Sequence, residues 1–382
     1  MNSSTEKIIR PELSHPGFTY INDIDIANEV NKNSDFVPPP MEKYLLELQA
    51  ASGRDFSNLI LVSGNALFFM SGNKHIQLRK KVMNTLGKGN INKWIPIFDE
   101  AIDAAILSLK NSGTPDIVAD FTYPLFLETT QRVLGVRPND PERFDYWTQQ
   151  LQTLLQPLLP LRQLIKMEAG FGDLLDQMRE KEIGEKEDNP ASLLSELRDF
   201  RLEGYSEDDV LATILVLYGA SVNISQTMAN VVWHLLSAPE AISACAKDPA
   251  WVTNNLEYLI KISASPRYIH SISMTNKKIG GLDFSKGDNV LIDLLEVHNV
   301  GCPFAKEKSW TKEELSNNSH IAFGKGIHFC VGAFHSRVLI ERAIPKLFAS
   351  FPKITKLTDV PDVSDQKQTV ILNSLKVSLN EK

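Results

Sequence analysis

The sequence predicts a mainly α-helical protein with small β-sheets, folded as one domain that encloses a ligand. Most of residues 75–260 shows helical periodicity, whereas strand patterns are confined to short segments such as Asn289–Asp293. With 382 residues, of which 43% are hydrophobic and 23% charged, the chain can bury a cofactor completely. We therefore expect residues 1–382 to form a single domain, with residues 1–14 flexible.

The composition argues against several classes of protein. A net charge of -7 gives no overall attraction to nucleic acid. Residues 1–10 are polar and lack the apolar core of a signal peptide, and no window approaches the roughly 18 uninterrupted apolar residues of a membrane span. The 3 cysteines are too few for a disulfide framework, and the charged stretch Arg179–Pro190 is expected to be an exposed loop. We expect a cytoplasmic protein without nucleic-acid or membrane partners.

The longest predicted helix runs from Asp208 to Pro239. Its segment 210–218 is apolar almost all round, so it should lie in the core, and Pro239 should end the helix. Strand and turn patterns occupy Ile279–Asp288, and another helix is predicted from Gly332 to Phe351. The intervening stretch Val300–Ser319 is predicted to be irregular.

The segment Phe323–Gly332 combines three glycines with one cysteine. The glycines permit positive φ and let the backbone approach a flat partner closely. Cys330 precedes a helix predicted to start near Gly332, so its sulfur lies by a helix N-terminus, where backbone N–H groups and the helix dipole favour a thiolate. Phe323 could pack on the sulfur or on the partner and limit the exposure of the sulfur. The residues alone allow two interpretations: a thiolate ligand, or a buried free cysteine in a glycine-rich turn.

The same residues closely resemble the haem-ligand signature of the cytochrome P450 superfamily, bacterial soluble type. The pattern is Phe-Gly-x-Gly-x-His-x-Cys-x-Gly, and the resemblance extends over roughly residues 15–380. It implies a P450-like fold that encloses haem b, with Cys330 as the axial iron ligand and His328 as a haem-propionate partner. Phe323, Gly324 and Gly332 would contact the cofactor. A thiolate ligand pushes electron density onto haem iron and favours cleavage of the O–O bond.

Two further segments resemble haem-binding parts of the family. His75 and Arg79 match a His-x-x-x-Arg helix whose two side chains bind propionates, and the i, i+4 spacing places them on one helix face. A pair of ordinary surface residues is the alternative interpretation. The third propionate partner, usually arginine, falls near His270 or Ser271, so His270 is expected to replace it; Arg267 is the nearest arginine.

The segment Gly219-Ala-Ser-Val-Asn departs from the family pattern. It takes the place of Ala-Gly-x-Asp/Glu-Thr, in which the acid and the alcohol deliver protons during O–O cleavage. Gly219 and Ala220 would lie against the haem, and Val222 and Asn223 take the catalytic positions, unless a one-residue slip places Ser221 and Val222 there. Valine cannot relay a proton, and an asparagine amide does not titrate near neutrality. A serine with a water, or the substrate itself, is the expected substitute, unless Asn223 only bonds backbone within the helix.

Two more departures concern the support of the cysteine loop and the N-terminal region. The family has a buried Glu-x-x-Arg salt bridge, but Ile260 occupies the arginine position after Glu257, and Lys261 lacks a planar guanidinium fork. Glu257 must then find another partner or stay protonated.

His15–Glu29 resembles a strand and helix that family members reach several dozen residues later. The N-terminal region is therefore shortened, which could leave the pocket open to a bulky or carrier-tethered substrate.

Three hypotheses for the function remain. The first is a haem-thiolate oxidoreductase that hydroxylates, couples or desaturates a small organic molecule, such as an intermediate of secondary metabolism. Its electrons would come from a ferredoxin-type donor docked on a basic patch of Lys325, Arg337, Arg342 and Lys346. Scattered surface cations without a docking role are the alternative interpretation of these residues. The second keeps haem without dioxygen activation, as a peroxide-using enzyme, a dehydratase or an isomerase. The third is a non-catalytic binding module, which the intact cysteine loop argues against.

Overall fold

The computed structural model describes residues 18–155, 159–180, 192–199, 204–248, 250–301, 303–304, 310–316, 318–366 and 368–379. The predictions for residues 1–14 and for the charged stretch beyond Glu180 lie outside these residues. Within the described residues the protein is mainly helical with small β-sheets, as the sequence predicts.

The described residues form 15 α-helices, numbered in chain order. The first eight are α1 (Ile24–Lys32), α2 (Met41–Ser52), α3 (Ser57–Gly64), α4 (Gly72–Leu86), α5 (Ile91–Asn111), α6 (Tyr123–Leu134), α7 (Pro141–Gln149) and α8 (Leu161–Glu180). The others are α9 (Leu193–Arg198), α10 (Glu207–Leu236), α11 (Pro239–Lys247), α12 (Ala250–Ser263), α13 (Leu294–Val297), α14 (Lys312–Ser316) and α15 (Ala333–Ser350).

The strands in the described residues are short and form four small sheets. They are β1 (Phe18–Ile21), β2 (Phe36–Val37), β3 (Tyr268–Ser273), β4 (Lys277–Ile279), β5 (Leu282–Phe284), β6 (Asn289–Asp293), β7 (Thr355–Lys356), β8 (Asp362–Val363), β9 (Leu372–Ser374) and β10 (Val377–Ser378). The pairs β4–β5, β7–β10 and β8–β9 are antiparallel two-stranded sheets.

The largest sheet has the strand order β1-β6-β3-β2. β1 runs parallel to β6, with Phe18 opposite Asn289, whereas β3 runs antiparallel to β6, with Tyr268 opposite Asp293. β6 lies between two strands and is buried from its second residue onward, as its nearly continuous apolar sequence predicts. The strand predicted at Asn289–Asp293 is therefore confirmed.

Helix α10 is the longest element and is buried over most of its length. Glu207, Asp208 and Asp209 occupy its first turn, where negative charge interacts favourably with the helix dipole. The predicted buried helix is confirmed, but it ends at Leu236, and Pro239 instead occupies the first position of α11, where its missing N–H is not needed. By length and composition α10 is the one described helix that could cross a membrane, and 67% of its most apolar stretch is buried inside the protein.

The chain divides into two compact units. The first comprises residues 1–36, 95–127 and 223–382, and the second comprises residues 37–94 and 128–222. In the first unit the four-stranded sheet and α1 share one cluster of buried apolar side chains: Ile21, Ala27, Val30, Phe36, Ile279, Phe284, Val290, Ile292, Leu294, Val297 and Ile321. The single domain expected from the sequence stays a prediction.

Two predicted segments flank the functional loop. The helix predicted from Gly332 to Phe351 is confirmed as α15. The stretch Val300–Ser319 is not irregular throughout, because α14 forms within its described part. The Thr311 hydroxyl accepts a hydrogen bond from the Glu314 N–H (3.3 Å), so a Thr-x-x-Glu capping sequence begins this helix.

Candidate functional site

The cysteine loop, residues 323–332, is a tight backbone turn held by its own hydrogen bonds. Gly324 and Gly326 have φ of 66° and 67°, a left-handed conformation that other residues adopt only with strain. The Cys330 N–H donates to the Phe323 carbonyl (2.8 Å), which closes the loop at its two ends. A Cβ at Gly326 would lie 2.7 Å from the Asn31 carbonyl oxygen, so the loop also packs directly on the backbone of α1.

Cys330 stands two residues before Gly332, the N-cap of α15. Its side chain is partly exposed at the helix N-terminus, where N–H groups and the dipole favour a thiolate. Cys245 differs, because burial raises the pKa of its thiol to about 12. Of the two cysteines in the described residues, only Cys330 is placed to serve as a thiolate ligand.

The carboxylate of Glu257 is held by two side chains that we call, together with it, the Glu257 clamp. Arg337 of α15 donates from Nε to Oε1 (2.6 Å) and from Nη2 to Oε2 (2.7 Å), and His320 Nε2 lies 2.9 Å from Oε2. Arg337 therefore supplies the guanidinium that position 260 lacks. The Arg337 guanidinium lies 4.6 Å above the ring of Phe323, the first residue of the cysteine loop.

The depressed pKa of Glu257 predicts that the clamp weakens in acid. The hydrogen bonds from Arg337 and then His320 lower the pKa of Glu257 from 4.5 to about 2. Because the folded-state pKa is the lower one, this stabilisation is fully present above about pH 4.5 and is lost as the pH falls towards 2. Glu257→Gln should therefore be less stable than the wild type at pH 7, and urea unfolding should show the difference shrinking below pH 4.5. A difference that stays constant with pH would contradict this assignment.

Two imidazoles hold the backbone that leads into the cysteine loop. The Ile321 N–H donates to His298 Nε2 (3.0 Å), and the Ala322 N–H donates to His320 Nδ1 (3.1 Å). Burial lowers the pKa of His298 to about 3, so its ring is neutral and can accept this bond. Because Nδ1 of His320 accepts, its Nε2 carries the hydrogen that points to Glu257.

The two predicted propionate partners of the second unit lie on α4. His75 is 1% exposed and Arg79 is partly buried, one turn apart on the same helix. Burial, and to a lesser extent the charge of Arg79, lowers the pKa of His75. Their role as propionate ligands stays a prediction, although the buried His75 does not fit the alternative of a surface pair.

The predicted third partner, His270, lies on β3. Its Nε2 is 3.0 Å from Asn289 Oδ1, and its ring packs at 5.5 Å from that of Phe18. Arg267, the nearest arginine, pairs with Asp293 through Nη2 (3.1 Å) and Nε (3.3 Å), and both side chains are 10% exposed. Arg267 is therefore committed to a structural ion pair, and the role of His270 as the third propionate partner stays a prediction.

In the second unit, the predicted distal segment of α10 contains a close helix contact and a hydroxyl that bonds within the helix. A Cβ at Gly219 would lie 2.5 Å from both Leu151 Cδ1 and the Thr148 carbonyl oxygen, so only glycine fits there. Ala220 is partly buried and Val222 is 4% exposed. Ser221 Oγ donates to the Leu217 carbonyl (2.7 Å).

In the first unit, Asn223 belongs to a polar cluster that the sequence did not reveal. Ser265 Oγ lies 2.8 Å from Asn223 Oδ1 and 3.0 Å from Gln226 Oε1. The Ser265 N–H donates to Thr227 Oγ1 (3.2 Å). Ser265 is 42 residues from Asn223, and no spacing rule links two positions at that distance. The alternative in which Asn223 bonds only backbone is wrong, because its amide contacts this serine.

Most of the predicted basic patch is neutralised by carboxylates of the first unit. Arg337 pairs with Glu257, Arg342 with Asp99 (2.5 and 2.7 Å), and Lys346 with Asp103 (2.5 Å). The patch is therefore less positive than the sequence suggests, since three of its four cations have acidic partners.

The donor set of the first unit fits haem better than a bare metal ion. In the described residues there is no group of three or more His, Cys, Asp or Glu side chains that could hold a metal. An ion bound through Cys330 must therefore bring its other ligands with it, as haem iron does in its macrocycle. A mainly helical fold with a partly exposed cysteine on a glycine-rich loop at a helix N-terminus fits a haem-thiolate protein.

Comparisons with known proteins agree with this class, although no family model matches the chain. The putative cytochrome P450 YjiB of Bacillus subtilis (strain 168) is 24% identical over 308 residues, which cover 78% of this chain and 76% of the relative. Nocardicin C N-oxygenase of Nocardia uniformis subsp. tsuyamanensis is 25% identical over 322 residues, covering 81% and 77%. Among solved structures, P450BioI in complex with a hexadec-9Z-enoic acid-ligated acyl carrier protein has a TM-score of 0.78 at 17% identity, covering 94% and 91%.

In sequence and in fold this chain is similar to the bacterial cytochrome P450s. The protein is an enzyme of the P450 type, and its cofactor is haem b bound through a cysteine thiolate. The likeness to CalO2, with a TM-score of 0.77 at 16% identity over 98% of this chain and 94% of that one, supports the fold alone.

Proposed function

We propose that this enzyme oxidises a small organic substrate, by hydroxylation, oxidative coupling or desaturation, with protons drawn from water or substrate and not from a carboxylic acid of the chain. The observation that carries the proposal is the polar cluster of Asn223, Gln226 and Ser265. It lies where the family resemblance calls for an alcohol next to an acid, and the acid position holds Val222.

Cys330 would hold the haem, with Phe323 and the loop glycines against it. The haem, when bound, supplies the oxidising chemistry, and the thiolate pushes electron density onto its iron. The chain's part on this side is to keep the sulfur ionised and fixed. The α15 N-terminus favours the thiolate, and the Cys330 N–H bond to the Phe323 carbonyl fixes the backbone beside it.

The polar cluster can hold a proton donor but cannot itself be one. A serine hydroxyl has one hydrogen, so Ser265 donates to one amide oxygen, and the other amide must turn its NH₂ group towards the serine. Neither amide titrates near neutrality. The cluster is therefore suited to bind a water or a substrate hydroxyl in a fixed orientation, and that bound group would deliver the proton.

The substrate is proposed to be a biosynthetic intermediate, free or tethered to a carrier protein. Support comes from the relative named as nocardicin C N-oxygenase and from the P450BioI structure with an acyl carrier protein. A ferredoxin-type electron donor would be needed for dioxygen activation. A cytoplasmic location belongs to the same proposal.

A second candidate function is haem-thiolate catalysis without dioxygen activation. Two observations favour it. The Ser221 hydroxyl is committed to the Leu217 carbonyl, and three cations of the predicted donor-docking patch are paired with acids. Such an enzyme would use peroxide, or would rearrange or dehydrate a substrate without any electron donor.

Spectra and turnover of the purified protein test both candidates. The reduced protein exposed to carbon monoxide should show a strongly red-shifted Soret band, which establishes thiolate-ligated haem. Turnover with a ferredoxin, its reductase and NADPH is expected; turnover with peroxide alone, or with no redox partner, would replace the first candidate with the second. A purified protein that takes up no haem would contradict both.

Asn223→Thr should improve the coupling of electron use to product formation. The new hydroxyl occupies the alcohol position, so we expect about tenfold more product per NADPH, below the full 10²–10⁴ range because no acid accompanies it. Product and released peroxide are measured together. Ser221→Ala is the matched control and should leave coupling unchanged, because that hydroxyl bonds its own helix. Loss of coupling in the control would assign the relay to Ser221, two residues earlier, and refute the Asn223 assignment.

A further inference from the structure

Arg337 uses all three of its guanidinium nitrogens inside the protein. Nε and Nη2 contact the two oxygens of Glu257 at 2.6 and 2.7 Å, and Nη1 donates to the Ala333 carbonyl at 3.3 Å. The side chain is 24% exposed. Three of the five N–H donors of this guanidinium are used inside the protein, and the planar fork holds both carboxylate oxygens, so the group is fixed in orientation.

The same guanidinium touches the cysteine loop. It lies over the Phe323 ring, with 4.6 Å from the guanidinium carbon to the ring centroid. The Phe323 carbonyl accepts the hydrogen bond of the Cys330 N–H. A short path of direct contacts thus joins Glu257 on α12, Arg337 on α15, Phe323 and the backbone of Cys330.

The segment before Phe323 is anchored to the same clamp. His320 bonds Glu257 through Nε2 and accepts the Ala322 N–H through Nδ1. His298 accepts the N–H of Ile321. The two imidazoles therefore hold the backbone at Ile321 and Ala322, and the Arg337 guanidinium contacts the ring of Phe323. The Glu257 carboxylate bonds both His320 and Arg337.

We propose that Arg337 is the positioning residue for the Cys330 thiolate, taking the part of an arginine at position 260. The inference rests on the haem-thiolate ligation in the proposed function. The Glu257 clamp, built between α12 and α15, fixes Phe323 and thereby holds the Cys330 sulfur at one position in the loop. Lysine could not take this part, because one ammonium cannot hold both carboxylate oxygens and lie flat on a ring.

Docking of an electron donor is the rival explanation for the positive charge of Arg337 at this place. A cleft of about 240 Å³ opens beside the clamp, and its lining includes Lys325, Phe329 and Arg337. The two explanations differ in what they require of Arg337: positioning acts on the thiolate without any partner protein, whereas docking acts only when the donor is present.

The test compares Arg337→Gln with Arg342→Gln. Arg342 is the matched control, because it lies on the same helix and holds Asp99 with two nitrogens, but the pair does not include the cysteine loop. Arg337→Gln should speed conversion of the red-shifted carbon monoxide complex to its blue-shifted, thiol-ligated form by about tenfold, as expected for loss of one charge-assisted hydrogen-bonded pair. Arg342→Gln should change that rate by less than about twofold, even if it lowers the thermal unfolding temperature equally.

Hydrogen exchange of the apoprotein gives a readout that needs no haem. Peptides covering residues 320–332 should exchange faster in Arg337→Gln and at the wild-type rate in Arg342→Gln. Glu257→Gln should speed exchange less in the Arg337→Gln background than in the wild type, because both substitutions break the Arg337–Glu257 pair and only the contact with His320 remains to be lost. If Arg337→Gln destroys folding, Arg337→Lys replaces it in the test. Its exchange rate over residues 320–332 should be faster than that of the wild type, because lysine keeps the charge but loses the two-nitrogen contact with Glu257.

Two results would overturn the inference. One is an Arg337→Gln protein with wild-type exchange and conversion rates but a raised KM for the electron donor, which is the signature of docking. The other is an equal response of the two arginine variants, which means a general loss of stability. A wild-type protein without a red-shifted band would instead refute the proposed function, and faster exchange in Arg337→Gln would still support the loop anchorage.

Discussion

Cys330→Ala is expected to abolish the red-shifted carbon monoxide band completely. Cys330 is the one described cysteine at a helix N-terminus, and in the described residues no cluster of metal-binding side chains could replace it. Without the thiolate the iron loses its electron-donating ligand, and reductant-driven turnover should fall by at least about 10³-fold. Haem content, the reduced carbon monoxide spectrum and turnover are measured on the same preparation.

Cys245→Ala is the control for this substitution. Its thiol is buried, and burial raises the pKa of that thiol to about 12, so it stays protonated and ligates nothing. The control should keep the wild-type spectrum, with a modest loss of stability from the small cavity. A red-shifted band that survives Cys330→Ala and disappears in Cys245→Ala would move the ligand to the other cysteine.

Arg267→Met should cause a large loss of stability. Arg267 and Asp293 are each 10% exposed, and the guanidinium contacts Asp293 Oδ2 through two nitrogens. Methionine leaves a buried carboxylate without its cation, which costs about 3–5 kcal/mol. Chemical unfolding of the variant and the wild type at pH 7 measures this difference.

A double variant separates the ion pair from the rest of the structure. Asp293 also caps α13 by accepting the Leu295 N–H at Oδ1 (3.0 Å), and asparagine can keep that bond. Arg267→Met with Asp293→Asn should therefore recover most of the lost stability, because no unpaired charge remains buried. Equal losses in the single and double variants would show that Arg267 stabilises the fold by packing and not by charge.

The sequence predicted the regular elements near the site well, because each has a local signal. The apolar run of α10, the strand β6 and the helix α15 were all found from periodicity. The error at Pro239 has a simple cause. A proline can follow the end of one helix or occupy the first position of the next, and the local sequence is the same in both cases. Only the path of the chain after residue 236 shows that Pro239 begins α11.

The partner of Glu257 could not be predicted from local spacing. A Glu-x-x-Arg pair is readable because both residues lie on one helix face, but here the arginine is 80 residues away on another helix. From the sequence, Arg337 is predicted only to be one cation of a basic surface patch. The same limit applies to Ser265, since a lone serine carries no pattern until the fold brings it to Asn223.

The sequence by itself determined the chemistry of one continuous segment. Its glycines, its cysteine and the helix that follows specify a thiolate loop, because the interactions within that loop join residues that are close in sequence. The tertiary structure decided how that loop is held and what lies near Asn223. Those answers depend on side chains that are distant in sequence, and their contacts arise only when helices and strands pack. Cys330 could therefore be read from the sequence, whereas Arg337 as its support could be found only in the folded chain.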